Sequence, residues 1–359
     1  MTTASGIGSW PGTDIRETLR MVRDTLGGLG ASRSSTERDA RPAPDASADR
    51  DARADRDAPD VHGLPYLPEL PERGPGADLV GRSLGLLVAL PVDLQPFGWR
   101  LTDRPGRDAG RTSSLMRQDL DELAEAFDGW QGPLKIQVAG PWTLGAGVWL
   151  PRGDRVLADE GGRRDLVESL AEGVRVHLED VRRLVPGAEI VLQIDEPSLP
   201  AVLEGRLTTA SGFGRVGALD PQEALAGLRA VVAAADGGET VIHCCSRDLP
   251  LPMLRQTGAG LSLDTSLLTP GGWEGVALGL EEGLRLYAGC VPTSSPPRAR
   301  DLADTLAEAW SRVGLEPRGL DDLVVTPACG LATLTLPAAR SVSQICIDSA
   351  AALTERALA

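Results

Sequence analysis

A single (β/α)8 barrel is the fold this sequence predicts, and three observations predict it. The 359 residues suit one barrel of this kind. Eight short β-like runs alternate with amphipathic stretches, the rhythm of parallel strands joined by helical crossovers. The chemically unusual residues fall directly after those runs, and the C-terminal ends of the strands are where such a barrel keeps its chemistry.

Taken in order, the first run covers residues 6–9 and carries Ile7-Gly8-Ser9. The second, 86–90, is an apolar stretch with little else to mark it. The third, 134–138, leads into Gly140-Pro141-Trp142-Thr143, and the fourth, 190–194, into Asp195-Glu196-Pro197. The fifth, 241–245, ends in His243-Cys244-Cys245, and the sixth, 261–264, ends at Asp264 before Thr265-Ser266. The seventh is 286–290, and the eighth, 323–326, precedes Cys329-Gly330-Leu331. Helical stretches lie at 164–184, 221–235 and 298–313; in the last, Leu302, Leu306 and Trp310 recur on one helical face. Closing eight strands on themselves removes the two edges that an open sheet would have to protect.

Residues 1–359 thus read as one domain with an insertion. Residues 31–60 are rich in Asp, Arg, Ala and Pro and contain no large apolar side chain, so they cannot bury enough surface to offset the entropy of ordering. A disordered loop after the first helix is expected there. It should be removable without loss of the fold, since long surface insertions add little loop-closure entropy.

An apolar fraction of 42% supports a sizeable core, while a net charge of −15 disfavours nucleic acid and anionic membrane surfaces as partners. No apolar run approaches the ~20 residues of a membrane span. Met1-Thr2-Thr3-Ala4-Ser5 has neither the basic nor the apolar segment of a secretion signal. Five cysteines, two of them adjacent, make a poor disulfide framework, so a cytoplasmic protein is expected. No Gly-rich phosphate fingerprint is present.

His243 and Cys245 carry the sharpest chemical signal. Residues i and i+2 of a strand point to the same side, so an imidazole and a thiol stand together there while Cys244 faces away. They are two of the four ligands that a tetrahedral Zn²⁺ requires. Asp264 and Cys329, at the ends of two further runs, complete the set if the strands converge. Core filling is the competing role, because free Cys is among the most buried residue types. Of three His and five Cys in the chain, three stand at strand ends in a ligand-compatible pattern, which favours zinc.

These motifs together resemble a known family. Ile7-Gly8-Ser9, Gly140-Pro141-x-Thr143, Gln193-Ile194-Asp195-Glu196-Pro197, His243-x-Cys245, Asp264-Thr265-Ser266 and Cys329-Gly330-Leu331 occur in the order found in the C-terminal catalytic barrel of cobalamin-independent methionine synthase. The resemblance implies a barrel that methylates the thiol of homocysteine. It implies zinc ligation by His243, Cys245, Asp264 and Cys329, the third being Asp where the family has Glu. It also implies homocysteine binding by Ile7, Gly8, Ser9 and Asp195, with Glu196 beside it. The acidic residue that the family carries near Asp78-Leu79-Val80 is missing from that position, Gly81 standing nearest.

Other departures concern the methyl donor. The family's catalytic His lies in a His-Ser-Pro run, which reads Ser294-Ser295-Pro296 here, so Ser294 takes the catalytic position. Ala201 replaces a folate-contacting Glu, and the family's N-terminal barrel has no counterpart in this sequence. Trp149 matches the pterin-stacking tryptophan with a shift of two residues. Displacing a methyl group from folate requires an acid to protonate the departing nitrogen, whereas cob(I)alamin leaves without one. The expected donor is therefore methylcobalamin or a methylated corrinoid protein, ahead of methyl-folate. The competing functions are a corrinoid-dependent methyltransferase for another thiol, a uroporphyrinogen decarboxylase-like enzyme, and a degenerate barrel that binds zinc or thiols without catalysis.

Overall fold

A computed structural model describes residues 1–29 and 61–358; the insertion expected at 31–60 lies outside them. The chain runs β1 (Thr3–Ser5), α1 (Ile15–Leu26), β2 (His62–Leu64), α2 (Leu79–Leu84), β3 (Val92–Gln95), β4 (Gly98–Leu101), α3 (Arg107–Ala126), β5 (Gly132–Ala139), α4 (Pro141–Gly147) and β6 (Val148–Trp149). It continues through α5 (Glu160–Leu184), β7 (Ala188–Asp195), α6 (Leu199–Leu203), α7 (Pro221–Ala233), β8 (Thr240–Cys244), α8 (Leu251–Leu254), β9 (Gly260–Asp264), α9 (Pro270–Glu281), β10 (Leu286–Val291), α10 (Ala299–Arg312), β11 (Val324–Pro327) and α11 (Leu336–Ala357).

Eight parallel strands form one sheet in the order β2-β1-β11-β10-β9-β8-β7-β5. Its two ends meet where the residues after β2 reach β5: Lys135 donates its backbone N–H to Pro65 O at 2.9 Å, and Leu67 donates to Lys135 O at 3.0 Å. The expected (β/α)8 barrel is therefore the fold. Two expected strands are corrected. The first is Thr3–Ser5, with residues 6–9 forming the loop above it, and the second is His62–Leu64, with 86–90 forming no strand. Leu86, Leu87 and Leu90 instead pack against the core from outside the sheet. A separate three-stranded sheet, β3-β4-β6, lies outside the barrel.

Alternation along the strands divides the core. Ile136 and Val138 of β5, Leu192 and Ile194 of β7, Ile242 of β8 and Leu263 of β9 face the helices, each no more than 1% exposed. Burying side chains of this size stabilises by roughly 1.5–3 kcal/mol apiece. The helices meet them with apolar stripes, such as Leu166, Leu170, Val174, Leu178 and Val181 on α5. Asp14, Asp159 and Asp220 accept backbone N–H groups at the starts of α1, α5 and α7 and so fix where these helices begin.

Inside the barrel the same strands present two layers. Leu64, Val191, Val241, Tyr287 and Val324 form an apolar cluster toward the N-terminal ends of the strands. One pleat further along come Lys135, Gln137, Gln193, Asp195, His243, Ser262 and Thr326, all buried. Val191, Gln193 and Asp195 sit on one face of β7, and Val241 and His243 on one face of β8.

Candidate functional site

β7 and β8 are parallel neighbours with Asp195 paired in register to His243, so the two side chains leave the sheet together at the C-terminal mouth. The His243 Nδ1 lies 3.0 Å from Ser262 Oγ and 3.2 Å from Ser262 O on β9. Donation from Nδ1–H to these oxygens orients the ring and turns Nε2 toward Cys329, the side on which a metal would be ligated. Cys245 follows β8, and its Sγ lies 3.4 Å from the Sγ of Cys329, which follows β11. Hydrogen bonds from Cys245 and then from His243 draw the Cys329 thiol well below the usual thiol range. Its partner Cys245 is pushed far above that range by the same hydrogen bond and by burial. The contact thus favours ionisation at one sulfur of the pair, Cys329, over the other, beside an oriented imidazole.

This donor set suits a soft divalent metal. Two thiolates at ~2.3 Å from a tetrahedral zinc lie roughly 3.8 Å apart, close to the separation found here. Among the described residues, no group of three or more His, Cys, Asp and Glu side chains already has the spacing of a formed metal cage. His243, Cys245 and Cys329 themselves stop short of that spacing, and the fourth expected ligand is engaged elsewhere. Asp264 projects from the end of β9, but its Oδ1 accepts from Ser266 N at 3.0 Å and from Ser266 Oγ at 2.6 Å, capping the turn Thr265–Leu267. Its charge raises the pKa of Cys290, with burial the larger cause. Cys245 and Cys329 are therefore in contact with His243 nearby, short of a formed three-ligand cage, while Asp264 stands at the same mouth with its carboxylate engaged elsewhere.

Beside the sulfurs sits a carboxylate pair. Asp195 is 5% exposed, and its Oδ1 accepts from Gln193 Nε2 at 2.7 Å. Burial raises its pKa, against the lowering influence of His243 and Lys135. Glu69, 4% exposed, is the acid that sequence reading missed. Burial pushes its pKa up to about 7, with Asp195 also raising it; Arg82, 3.7 Å away, and Lys135 pull the other way. The backbone of Glu69 bonds to the loop 6–9: its N–H donates to Gly8 O at 3.1 Å, and Trp10 N–H donates to Glu69 O at 2.8 Å. Glu69 stands nine residues before Asp78, which itself caps α2. The available signal was an acid directly after the apolar segment Leu64-Pro65-Tyr66-Leu67-Pro68.

Ile7, Gly8 and Ser9 line the same region. Ile7 O accepts from Lys135 Nζ and from Gln193 Nε2, both at 2.8 Å. A Cβ at Gly8 would lie 2.8 Å from the Gln137 side chain, so only glycine allows the loop to come down onto the polar layer. Ser9 O accepts from Leu331 N at 2.9 Å, and Ser9 Oγ packs where a Cβ at Gly330 would sit. The loop is therefore pinned to the segment that carries Cys329.

Other expected site residues lie elsewhere or do something else. Glu196 is fully buried and caps α4 from outside the helix. Its Oε1 accepts from Trp142 N at 2.9 Å, and its Oε2 accepts from Thr143 N and Thr143 Oγ1, both at 2.8 Å. A Cβ at Gly140 would collide with it, so Gly140 and Glu196 form one device that anchors a helix. That arrangement leaves Glu196 no oxygen for substrate. Trp142 and Trp273 are buried in the core. Trp149 is half-buried on β6, with Arg155 stacked 4.6 Å from its ring and Phe97 edge-on at 5.6 Å. Ser294 is exposed on the turn after β10, where Ser295 adopts a left-handed φ of 47°. His177 is buried on α5 with its Nε2 unpartnered and its pKa lowered to about 4, chiefly by burial.

A cleft of about 830 Å³ near Met1, Thr3 and His62 opens at the N-terminal ends of the strands, opposite the cysteines. It gathers none of the groups just described.

A family model described as the catalytic domain of cobalamin-independent synthase matches residues 153–352, more than half of the chain. The match contains Asp195, His243, Cys245, Asp264 and Cys329, while the loop 6–9, Glu69 and Lys135 precede it. No curated protein matches the chain. Among solved structures, the chain is similar to a B12-independent methionine synthase from Shewanella sp. W3-18-1 in complex with selenomethionine. The identity is 16%, the TM-score 0.49, and the match covers 73% of this chain and 72% of that one. No helix among the described residues is long and apolar enough to cross a membrane.

Proposed function

This chain belongs to the family of cobalamin-independent synthase catalytic domains, and we propose that it is a zinc-dependent methyltransferase that converts homocysteine to methionine. One observation carries the reading. The Cys245–Cys329 pair, 3.4 Å apart beside the oriented imidazole of His243, adjoins the buried carboxylates of Asp195 and Glu69. A soft-donor site next to paired carboxylates suits a molecule bearing both a thiol and an ammonium group.

In this reading His243, Cys245 and Cys329 hold the zinc, and Asp264 joins them if it releases Ser266. Zinc bound there supplies Lewis acidity that keeps a substrate thiol ionised at neutral pH. Asp195 and Glu69 receive the substrate ammonium, and the backbone of the loop 6–9 meets its carboxylate. Ser262 orients His243, so the imidazole needs no rearrangement when a ligand arrives. The acid that a folate donor requires is not among these groups: Ser294 is a weakly acidic, exposed hydroxyl, and His177 is buried on α5. The proposed donor is accordingly methylcobalamin or a methylated corrinoid protein.

The test is zinc content and methyl transfer to homocysteine by the purified protein, with methylcobalamin and methyltetrahydrofolate assayed in parallel. Stoichiometric zinc and a faster corrinoid-dependent rate are expected. A folate-dependent rate equal or greater would overturn the donor assignment. Bound zinc without transfer from either donor would overturn the catalytic reading in favour of a thiol-binding barrel.

A further inference from the structure

Lys135 is the only lysine in the chain and is fully buried inside the barrel, an unusual place for an ammonium group. Burial of an unpaired charge is strongly unfavourable, so its partners define what it does. The Nζ donates to Ile7 O at 2.8 Å and to Gln193 Oε1 at 2.7 Å, and it lies 5.1 Å from the centre of the Tyr66 ring. The Gln193 amide, held at its oxygen end by Lys135, donates from Nε2 to Ile7 O at 2.8 Å and to Asp195 Oδ1 at 2.7 Å.

Burial lowers the Lys135 pKa to about 7, with Asp195 and Glu69 opposing it; in its ammonium form the group only donates and so admits a single orientation of the amide. A flipped Gln193 would press its NH₂ against the Lys135 ammonium and its oxygen against both the Ile7 carbonyl and the Asp195 carboxylate. Lys135, together with the Ile7 carbonyl that it holds, therefore settles which end of Gln193 faces Asp195. Asp195 in turn is held through Oδ1, and no hydrogen bond to its Oδ2 is found among the described residues. The same ammonium fixes the Ile7 carbonyl from below, setting the height of the loop 6–9 over the site.

We propose that Lys135 is a positioning residue for substrate selection, acting through Gln193 to aim the free oxygen of Asp195 at the ammonium group of an α-amino thiol. The inference rests on the homocysteine reading above and names the residue that enforces the amino-acid part of it. Lys135 touches no reacting atom. Its effect is to make the barrel prefer a thiol with an amino group over the same thiol without one.

The experiment compares homocysteine with 4-mercaptobutyrate, which lacks only the amino group, in zinc-loaded protein, measuring kcat/KM for methyl transfer and binding by calorimetry. Wild type should prefer homocysteine. Lys135→Met, an apolar replacement of similar length, should reduce that preference by roughly ten-fold or more, in line with the loss of a charge-directed hydrogen bond. The change should lie in KM for homocysteine far more than in kcat. Gln193→Met cuts the same chain one link further on and should reproduce the loss. The double variant should lose no more than the worse single one, because both break one connection.

Equal losses for the two thiols, or a preference within about two-fold of wild type in both single variants, would overturn the proposal in favour of a purely structural lysine. If Lys135→Met fails to fold, the preference in Gln193→Met decides by the same criterion. Wild type that binds homocysteine without methylating it refutes the catalytic reading and leaves this inference to be judged on binding. Wild type that shows no preference between the thiols overturns the inference whatever its activity.

Discussion

The two layers inside the barrel come from the same strands and differ in everything else. β7 contributes Val191 to the lower layer and Gln193 and Asp195 to the upper one; β8 contributes Val241 below and His243 above. Below, Leu64, Val191, Val241, Val324 and the ring of Tyr287 close the barrel, and the one polar group among them, the Tyr287 hydroxyl, donates to Glu239 at 2.7 Å. Above, an ammonium, two carboxylates, an imidazole and two thiols lie within reach of one another, their charges offset in buried pairs. The lower layer gains stability from burial. The upper one incurs desolvation and holds groups at perturbed protonation states, which is how active sites are set apart from cores. Two residues along a strand separate the regimes.

The first way to break this contrast is to remove a sulfur from the upper layer. Cys329→Ser is expected to lose most of the bound zinc and to reduce methyl transfer by roughly 100-fold or more, since a first ligand is removed. Cys244→Ser changes a fully buried cysteine one residue before Cys245, on the opposite face of the strand, and should retain the metal. Elemental analysis of the two purified variants checks both outcomes, and equal retention would refute the ligand assignment.

The converse change strikes the lower layer. Leu64, 2% exposed in the apolar cluster, leaves a cavity when replaced by Ala. Leu64→Ala should destabilise by about 2–5 kcal/mol in denaturant unfolding. Zinc content and KM should stay as in wild type. A large loss of metal in this variant would mean that the layers are not separable.

A third test uses pH. Burial raises the folded-state pKa of Glu69 to about 7 from an ordinary 4.5. The folded state therefore binds more protons between pH 4.5 and 7, and the stability this carboxyl contributes is present below pH 4.5 and lost as pH rises through 7. Wild type should lose roughly 2–3 kcal/mol from this group across that window. Glu69→Gln should flatten the profile by about that amount. Parallel profiles for the two proteins would show that Glu69 stays ionised in the fold.

Most of the barrel was legible because its strands are ordinary. The runs at 134–138 and 261–264 alternate apolar with polar residues and the run at 190–194 is largely apolar, and they fold as β5, β9 and β7. The second strand was not legible: His62–Leu64 has three residues, too few to carry a pattern, whereas the longer apolar stretch at 86–90 packs on the core without pairing. Alternation made His243 and Cys245 readable, since i and i+2 share a face whatever the sheet does. Glu196 and Asp264 were harder to read, for the opposite reason. A carboxylate at a strand end can face the site or cap the next turn, and only the backbone N–H groups of Trp142, Thr143 and Ser266 decide between the two. Nothing in the sequence marked Lys135 as part of the site, because its partners Ile7 and Gln193 are far away in sequence.

The finest test of the upper layer is Ser262→Ala. Ser262 offers His243 Nδ1 two acceptors, its hydroxyl at 3.0 Å and its own carbonyl at 3.2 Å. Partners of this kind orient a ligating imidazole, and their loss typically lowers metal affinity by about 10–100-fold. Here the substitution removes the hydroxyl and leaves the carbonyl, which still turns Nε2 toward Cys329. The expected effect therefore sits at the low end, about ten-fold in zinc affinity by competition with a chelator, with little change in thermal stability. A loss as large as that of Cys329→Ser would mean that the hydroxyl alone orients the imidazole. No loss at all would mean that His243 is not a ligand, leaving the two cysteines to hold the metal with other groups.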